Sequence, residues 1–141
     1  MKRLSQAAFA VLLMCFATAC GESQKRVYPV QGQVFARKQP ATNALVILTP
    51  LQDADPEKWP TGYPRGTVRE DGSFQITTYR TDDGAPAGEY AVTAIWLERQ
   101  KDKEEEVDRL QGRYANPKTS RFRVQIKEVA QGNTIEPLLL D

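Results

Sequence analysis

The sequence predicts an all-β domain, a seven-stranded antiparallel β-sandwich with Greek-key connections. Three observations predict it. The chain holds about seven short segments of alternating or β-branched character, with turn signals about every 8–15 residues between them, and it has no long amphipathic helical stretch. The organising segment runs from Tyr90 to Leu97. Tyr90, Val92, Ala94 and Trp96 share one face of a period-2 pattern, and Ala91, Thr93, Ile95 and Leu97 share the other. Neither face is strongly polar, so the strand belongs in the middle of a sheet with packing on both sides. Gly84, Pro86 and Gly88 precede it with turn chemistry, free φ at the glycines and fixed φ at the proline. Pro86-Ala87-Gly88-Glu89-Tyr90 reads as a tyrosine corner, in which the hydroxyl returns to upstream backbone. A core tyrosine after an ordinary loop fits the same residues.

From its beginning, the chain reads Met1-Lys2-Arg3 and then runs without a charge from Ala7 to Ala19. That apolar run falls short of the about 20 residues a membrane-spanning helix needs. A basic start, a short apolar centre and Ala17-Thr18-Ala19 before a cut describe a secretory signal peptide over residues 1–19. Ala17-Thr18-Ala19-Cys20 resembles the lipobox of bacterial lipoproteins, although Ala17 stands where Leu is usual. The resemblance implies a diacylglyceryl group on the Cys20 sulfur and a chain anchored at a membrane in the cell envelope, on its periplasmic or outer-surface side. Ordinary cleavage leaving a free Cys20 is the alternative, and it exposes a lone thiol in an oxidising compartment. Residues 20–27 then form a polar, lipidated tether, and residues 28–141 form one domain. Of the 19 basic residues, Lys2 and Arg3 leave with the peptide, so 17 stand against 18 acidic ones. This balance gives no electrostatic case for nucleic acid or for anionic headgroups. Cys15 lies in the signal peptide, so no disulfide is expected.

Tyr28–Phe35 is the first strand, with Val30 and Val34 alternating against Gln31 and Gln33, and with Gly32 marking a bulge or a close backbone approach. Residues 38–43 form a turn, and Ala44–Thr49 is a nearly continuous apolar strand stopped by Pro50. Pro56, Pro60, Gly62 and Pro64 make the next stretch a long irregular loop. Gly66–Glu70 and Ser73–Tyr79 flank Asp71-Gly72, the dipeptide favoured in a type I′ hairpin turn. After the Tyr90 strand, Glu98–Gln111 is the most charged segment. Lys101 and Glu105 have the i,i+4 spacing of a short surface helix, but a solvated loop pinned by Leu110 fits the composition better. Phe122–Ile126 alternates cleanly as a strand with one wet face. Ile135–Leu140 is the last strand, and Pro137 points to a sheet edge.

The chemistry is defined mostly by exclusion. The chain has no histidine, which removes Ser-His-Asp and Cys-His catalysis and His-ligated zinc, and no mature thiol beyond Cys20 remains for redox work. No cofactor and no metal site is expected. Asp53, Asp55 and Glu57, and Asp82-Asp83, lack calcium-loop spacing and read as turn caps. A carboxylate pair for glycoside hydrolysis has no supporting pattern. Trp59 and Tyr63, between prolines, offer an exposed aromatic platform for a sugar ring or a partner protein. The plainer account folds them back over an open end of the sandwich. Arg109, Arg113 and Tyr114 offer a ligand rim, against the plainer account of an arginine stacked on Tyr114 and paired with Asp108.

Several pieces in this order resemble carboxypeptidase regulatory-like, transthyretin-related domains. They are Val30-Gln31-Gly32-Gln33-Val34-Phe35, the apolar strand ending at Pro50, Asp71-Gly72-Ser73-Phe74 and Ala85–Thr93. Residues 108–120, Asp108-Arg109-Leu110 through Arg113-Tyr114-Ala115-Asn116-Pro117 to Ser120, are similar to a segment of small single-domain bacterial lipoproteins. The resemblance implies a transthyretin-like or Ig-like sandwich, while the histidine-dependent hydrolases of that superfamily are ruled out as models. The expectation is a non-enzymatic binding or scaffolding module at the cell envelope, its partner an envelope protein or a glycan. The alternative is a carbohydrate-binding module using Trp59 and Tyr63.

Overall fold

The computed structural model describes residues 24–141, so the signal peptide, Cys20 and the first part of the tether lie outside the described residues. Within that range the chain is all-β. Its strands are β1 (Val27–Tyr28), β2 (Val30–Ala36), β3 (Gln39–Pro40), β4 (Leu45–Pro50), β5 (Arg65–Thr67), β6 (Ser73–Gln75) and β7 (Ala85–Pro86). They continue with β8 (Gly88–Ile95), β9 (Leu97–Arg99), β10 (Glu106–Asp108), β11 (Phe122–Ile126), β12 (Asn133–Thr134) and β13 (Leu138–Leu140). One 3-10 turn, Pro56–Lys58, interrupts the proline-rich loop.

Thirteen segments stand where seven strands are expected, and the divisions fall at identifiable residues. Pro29 and Pro137 have no N–H to give a ladder, so the first predicted strand splits at Pro29 and the last, expected from Ile135, begins only at Leu138. The strand begun at Tyr90 ends at Ile95, because the N–H of Trp96 donates to the Asp108 carboxylate (2.9 Å) instead of to a neighbouring strand.

One sheet has the order β11-β8-β4-β5, antiparallel throughout. The central position of β8 agrees with its two apolar faces: Tyr90, Ala91, Val92, Thr93 and Ala94 are all buried. The second sheet is built on β2, which pairs antiparallel with β3 and β6 and parallel with β12 and then β13. The all-antiparallel expectation is therefore corrected at the last strand. The short turn 127–132 leads from the end of β11 to the start of β2, where Asn133 N–H donates to the Pro29 carbonyl (2.8 Å). The chain then has to run in the same direction as β2.

Alternate residues of β2, β4 and β13 are buried, and those from both sheets join one cluster with Phe74, Ile76, Tyr90, Val92 and Ile126. Burying these side chains from water is the main stabilising term. Gly32 makes room for a side chain and not for a second backbone: a Cβ there would lie 2.6 Å from the Phe74 ring packed across it.

Two local expectations are corrected. The Asp71-Gly72 turn is not type I′, which needs left-handed φ at both central residues, because only Gly72 (φ +86°) has it. Gly72 N–H donates to Arg69 O (3.0 Å) and Arg69 N–H to Ser73 O (2.8 Å), a type I turn closed by a left-handed glycine. Beyond that turn the flanking strands join different sheets, β5 with β4 and β6 with β2. The charged segment is neither helix nor open loop. It is a hairpin in which β9 pairs with β10, Leu97 opposite Asp108 and Arg99 opposite Glu106.

The tyrosine corner is present. Tyr90 is 2% exposed, and its hydroxyl donates to the Pro86 carbonyl (2.8 Å). Burial pushes the phenol well above its ordinary value, with a smaller contribution from Tyr79.

Candidate functional site

Two clefts open at opposite ends of β8. The first, about 500 Å³, lies where β8 begins, and Lys25, Gln52, Asp53, Trp59, Glu89 and Gln125 line it. The proline-rich loop shapes its wall. Asp55 accepts from Glu57 N–H (3.1 Å) to start the 3-10 turn, and Lys58 pairs with Asp53 (2.8 Å). Trp59 folds inward at 5% exposure, its indole N–H donating to Asp53 O (3.0 Å). Tyr63 meets it edge-on with centroids 5.9 Å apart, and its hydroxyl donates to the Ala54 carbonyl.

The exposed-platform expectation for Trp59 and Tyr63 is thus corrected. An indole that finds a backbone acceptor and joins the core is more stable than one left in water. What Trp59 still offers the cleft is part of its wall, with the Lys25 ammonium 4.5 Å from the ring centroid. The hydrogen bond from Lys58, and its charge, hold the Asp53 carboxyl below its ordinary value.

The second cleft, about 190 Å³, lies where β8 ends. Arg37, Gln39, Trp96, Arg109, Arg113 and Asp141 line it, above Ala36 and Leu110. Half-buried Trp96 is fixed by its indole N–H donating to Thr42 O (2.9 Å), and the Arg109 guanidinium stacks 3.8 Å from its ring centroid. Asp108 shapes the loop that carries both loop arginines. Its carboxylate accepts from the backbone N–H groups of Trp96 (2.9 Å), Leu110 (3.0 Å) and Gly112 (2.9 Å). Partial burial opposes its ionisation, but these three donors together prevail and keep its pKa below the ordinary value. Arg37 comes from the other sheet, in the two-residue loop between β2 and β3.

The predicted rim of Arg109, Arg113 and Tyr114 is divided. Arg109 and Arg113 share the cleft, with Arg113 Nε donating weakly to Leu110 O (3.4 Å). Tyr114 stands outside it, stacked on Phe122 (6.1 Å, 28°) and accepting at its hydroxyl from Asp141 N–H (3.0 Å). The arginine over Tyr114 is Arg121 (5.4 Å), and Asp108 caps backbone instead of pairing with an arginine. Arg37 and Trp96 are the members that sequence reasoning missed. A signal existed for Arg37, since a two-residue loop between strands demands left-handed φ, and Arg37-Lys38 is an unusual pair to supply it.

The remaining acidic clusters are occupied locally. Asp83 accepts from the N–H groups of Thr78 (2.7 Å), Tyr79 (3.0 Å) and Arg80 (2.8 Å), and Asp82 pairs with Arg69 (3.2 Å). Among the described residues no group of three potential metal ligands comes together.

No family model matches the chain, and no curated protein matches it. Among solved structures, a crystal structure of a candidate carbohydrate-binding protein from Pseudomonas aeruginosa is similar over 84% of this chain and 91% of that one. The identity is 15% and the TM-score 0.43, a likeness too slight to argue from.

Proposed function

We propose that this chain is a non-enzymatic binding module of the cell envelope, a transthyretin-like Greek-key sandwich tethered through lipid on Cys20. The observation that carries the binding role is the 500 Å³ cleft, whose volume lies within the range of small-molecule sites. The resemblance to carboxypeptidase regulatory-like domains supports the sandwich, in which the β2 sheet and the β8 sheet close over one core. Lys25 lies five residues after Cys20, a reach of at most about 18 Å. The tether therefore holds the Trp59 cleft near the membrane and turns the Trp96 cleft away from it. Two acyl chains, at about 0.8 kcal/mol per buried CH₂, hold a domain of this size firmly. Labelled palmitate is expected to enter the protein, and Cys20→Ala to release it from membranes. A protein that stays unlabelled and fractionates unchanged as Cys20→Ala refutes the anchor.

The reading as a non-enzymatic module is supported by residue types. With no histidine, a hydrolase here depends on carboxylates, and Asp53 and Glu89 are the two in this cleft. The pairing with Lys58 keeps Asp53 ionised, which suits an ion-pair partner and not a general acid.

A second reading, a carbohydrate ligand, is favoured by one feature of the same cleft. The amides of Gln52 and Gln125 and the carboxylate of Glu89 surround the wall formed by Trp59, a polar arrangement suited to sugar hydroxyls. Buried Trp59 is a poor target for testing it, because its loss disturbs the loop. Glycan-array binding abolished by exposed Gln125→Ala supports a sugar ligand, and a silent array counts against it.

A further inference from the structure

We propose that Arg37, Arg109 and Arg113, gathered around Trp96, form an oxyanion site that takes the carboxylate or phosphate of a ligand into the second cleft. The proposal is independent of the lipid anchor and of the cleft beside Trp59. Three arginines, Arg37 from the loop between β2 and β3 and Arg109 and Arg113 from the loop after β10, line one space of about 190 Å³. A cluster of like charges repels itself until an anion enters it. The acidic groups nearby offset part of this charge, Glu98 by pairing with Arg109 and Asp141 from the cleft lining itself. Glu98 lies 3.9 Å from Arg109 Nε, and the Asp141 carboxylate is 3.8 Å from Arg121. Among the described residues, no ion pair reaches Arg37 or Arg113.

Arg109 and the loop that carries Arg113 are also held in place before a ligand arrives. Arg109 is stacked on Trp96, and the loop carrying Arg109 and Arg113 is fixed by the three hydrogen bonds to Asp108. Planar guanidinium groups match carboxylate and phosphate edges with paired hydrogen bonds, which suits them better than a flexible ammonium. The volume accommodates one such group on a short stem.

The second line of support is the backbone. Arg37 (φ +49°) and Lys38 (φ +66°) both sit in the left-handed region. Asn-Gly fills such a turn with less strain. Strain of this kind, kept next to a cleft by a side chain that lines it, points to selection for that side chain over stability.

The test uses the full-length protein with inorganic phosphate and acetate as separate probes, at constant ionic strength made up with chloride. Tryptophan fluorescence and calorimetry report binding. Saturable binding of either anion is expected, the stronger probe identifying the head group, with Arg113→Gln weakening it about tenfold or more. Arg37→Asn combined with Lys38→Gly is expected to raise the melting temperature while weakening binding, a pairing that misfolding cannot produce. No saturable response to either anion, binding unchanged in these variants, or a lower melting temperature in the double variant overturns the proposal.

Discussion

Replacing Tyr90 with Phe deletes one hydroxyl and leaves the ring that fills the core. The hydroxyl's hydrogen bond to the Pro86 carbonyl spans the turn between β7 and β8. An average hydrogen bond is worth about 1 kcal/mol net, and a buried carbonyl left without its donor adds part of a 1–3 kcal/mol desolvation cost. The expected loss is therefore about 1–3 kcal/mol, against a total stability on the order of 5–15 kcal/mol for a domain of this size. Urea unfolding followed by tryptophan fluorescence should show a lower midpoint with an unchanged slope, meaning that stability has changed and compactness has not. The same residue sets a pH dependence. Its folded pKa is raised, so its contribution is fully present below the unfolded value near 10 and is lost as the pH rises towards the folded value. The parent protein should lose stability above about pH 10 more steeply than Tyr90→Phe. An equal midpoint at pH 7, or matching alkaline profiles, refutes the reasoning.

Three further outcomes follow from the packing. Gly84→Ala should cost about 3–5 kcal/mol, the extreme of the mutational range. A Cβ would lie 1.8 Å from Tyr28 O on a φ of +101°, so a melting temperature within a degree of the parent would contradict the pairing of β1 with β7. Asp108→Ala should cost about 1–3 kcal/mol by stranding backbone donors. Because the folded pKa of Asp108 is lowered, its contribution is present above the unfolded value of 3.8 and is lost as the pH falls through the folded value. Acid titration of the midpoint checks this. Trp96→Ala should cost less than the 3–5 kcal/mol of a fully buried tryptophan, about 2–3 kcal/mol, because the ring is half-buried. A melting curve that separates a modest shift from wholesale unfolding decides between the two.

The local chemistry of this chain was legible in its residues. Alternation placed β2, β8 and β11, Pro86 and Gly88 announced the corner that Tyr90 closes, and the missing histidines removed whole classes of catalysis. These follow from short-range rules, because side-chain periodicity and φ preferences depend only on near neighbours. Tertiary structure decided the rest. The parallel return of β12 and β13, the hairpin of β9 with β10, the inward turn of Trp59 and the meeting of Arg37 with Arg109 and Arg113 all depend on partners distant in sequence. A backbone N–H accepts whichever carbonyl the packed core brings within reach, and a charge feels whichever sheet end lies opposite it. Apart from the unusual Arg37-Lys38 turn, neither choice leaves a mark on the residues nearby.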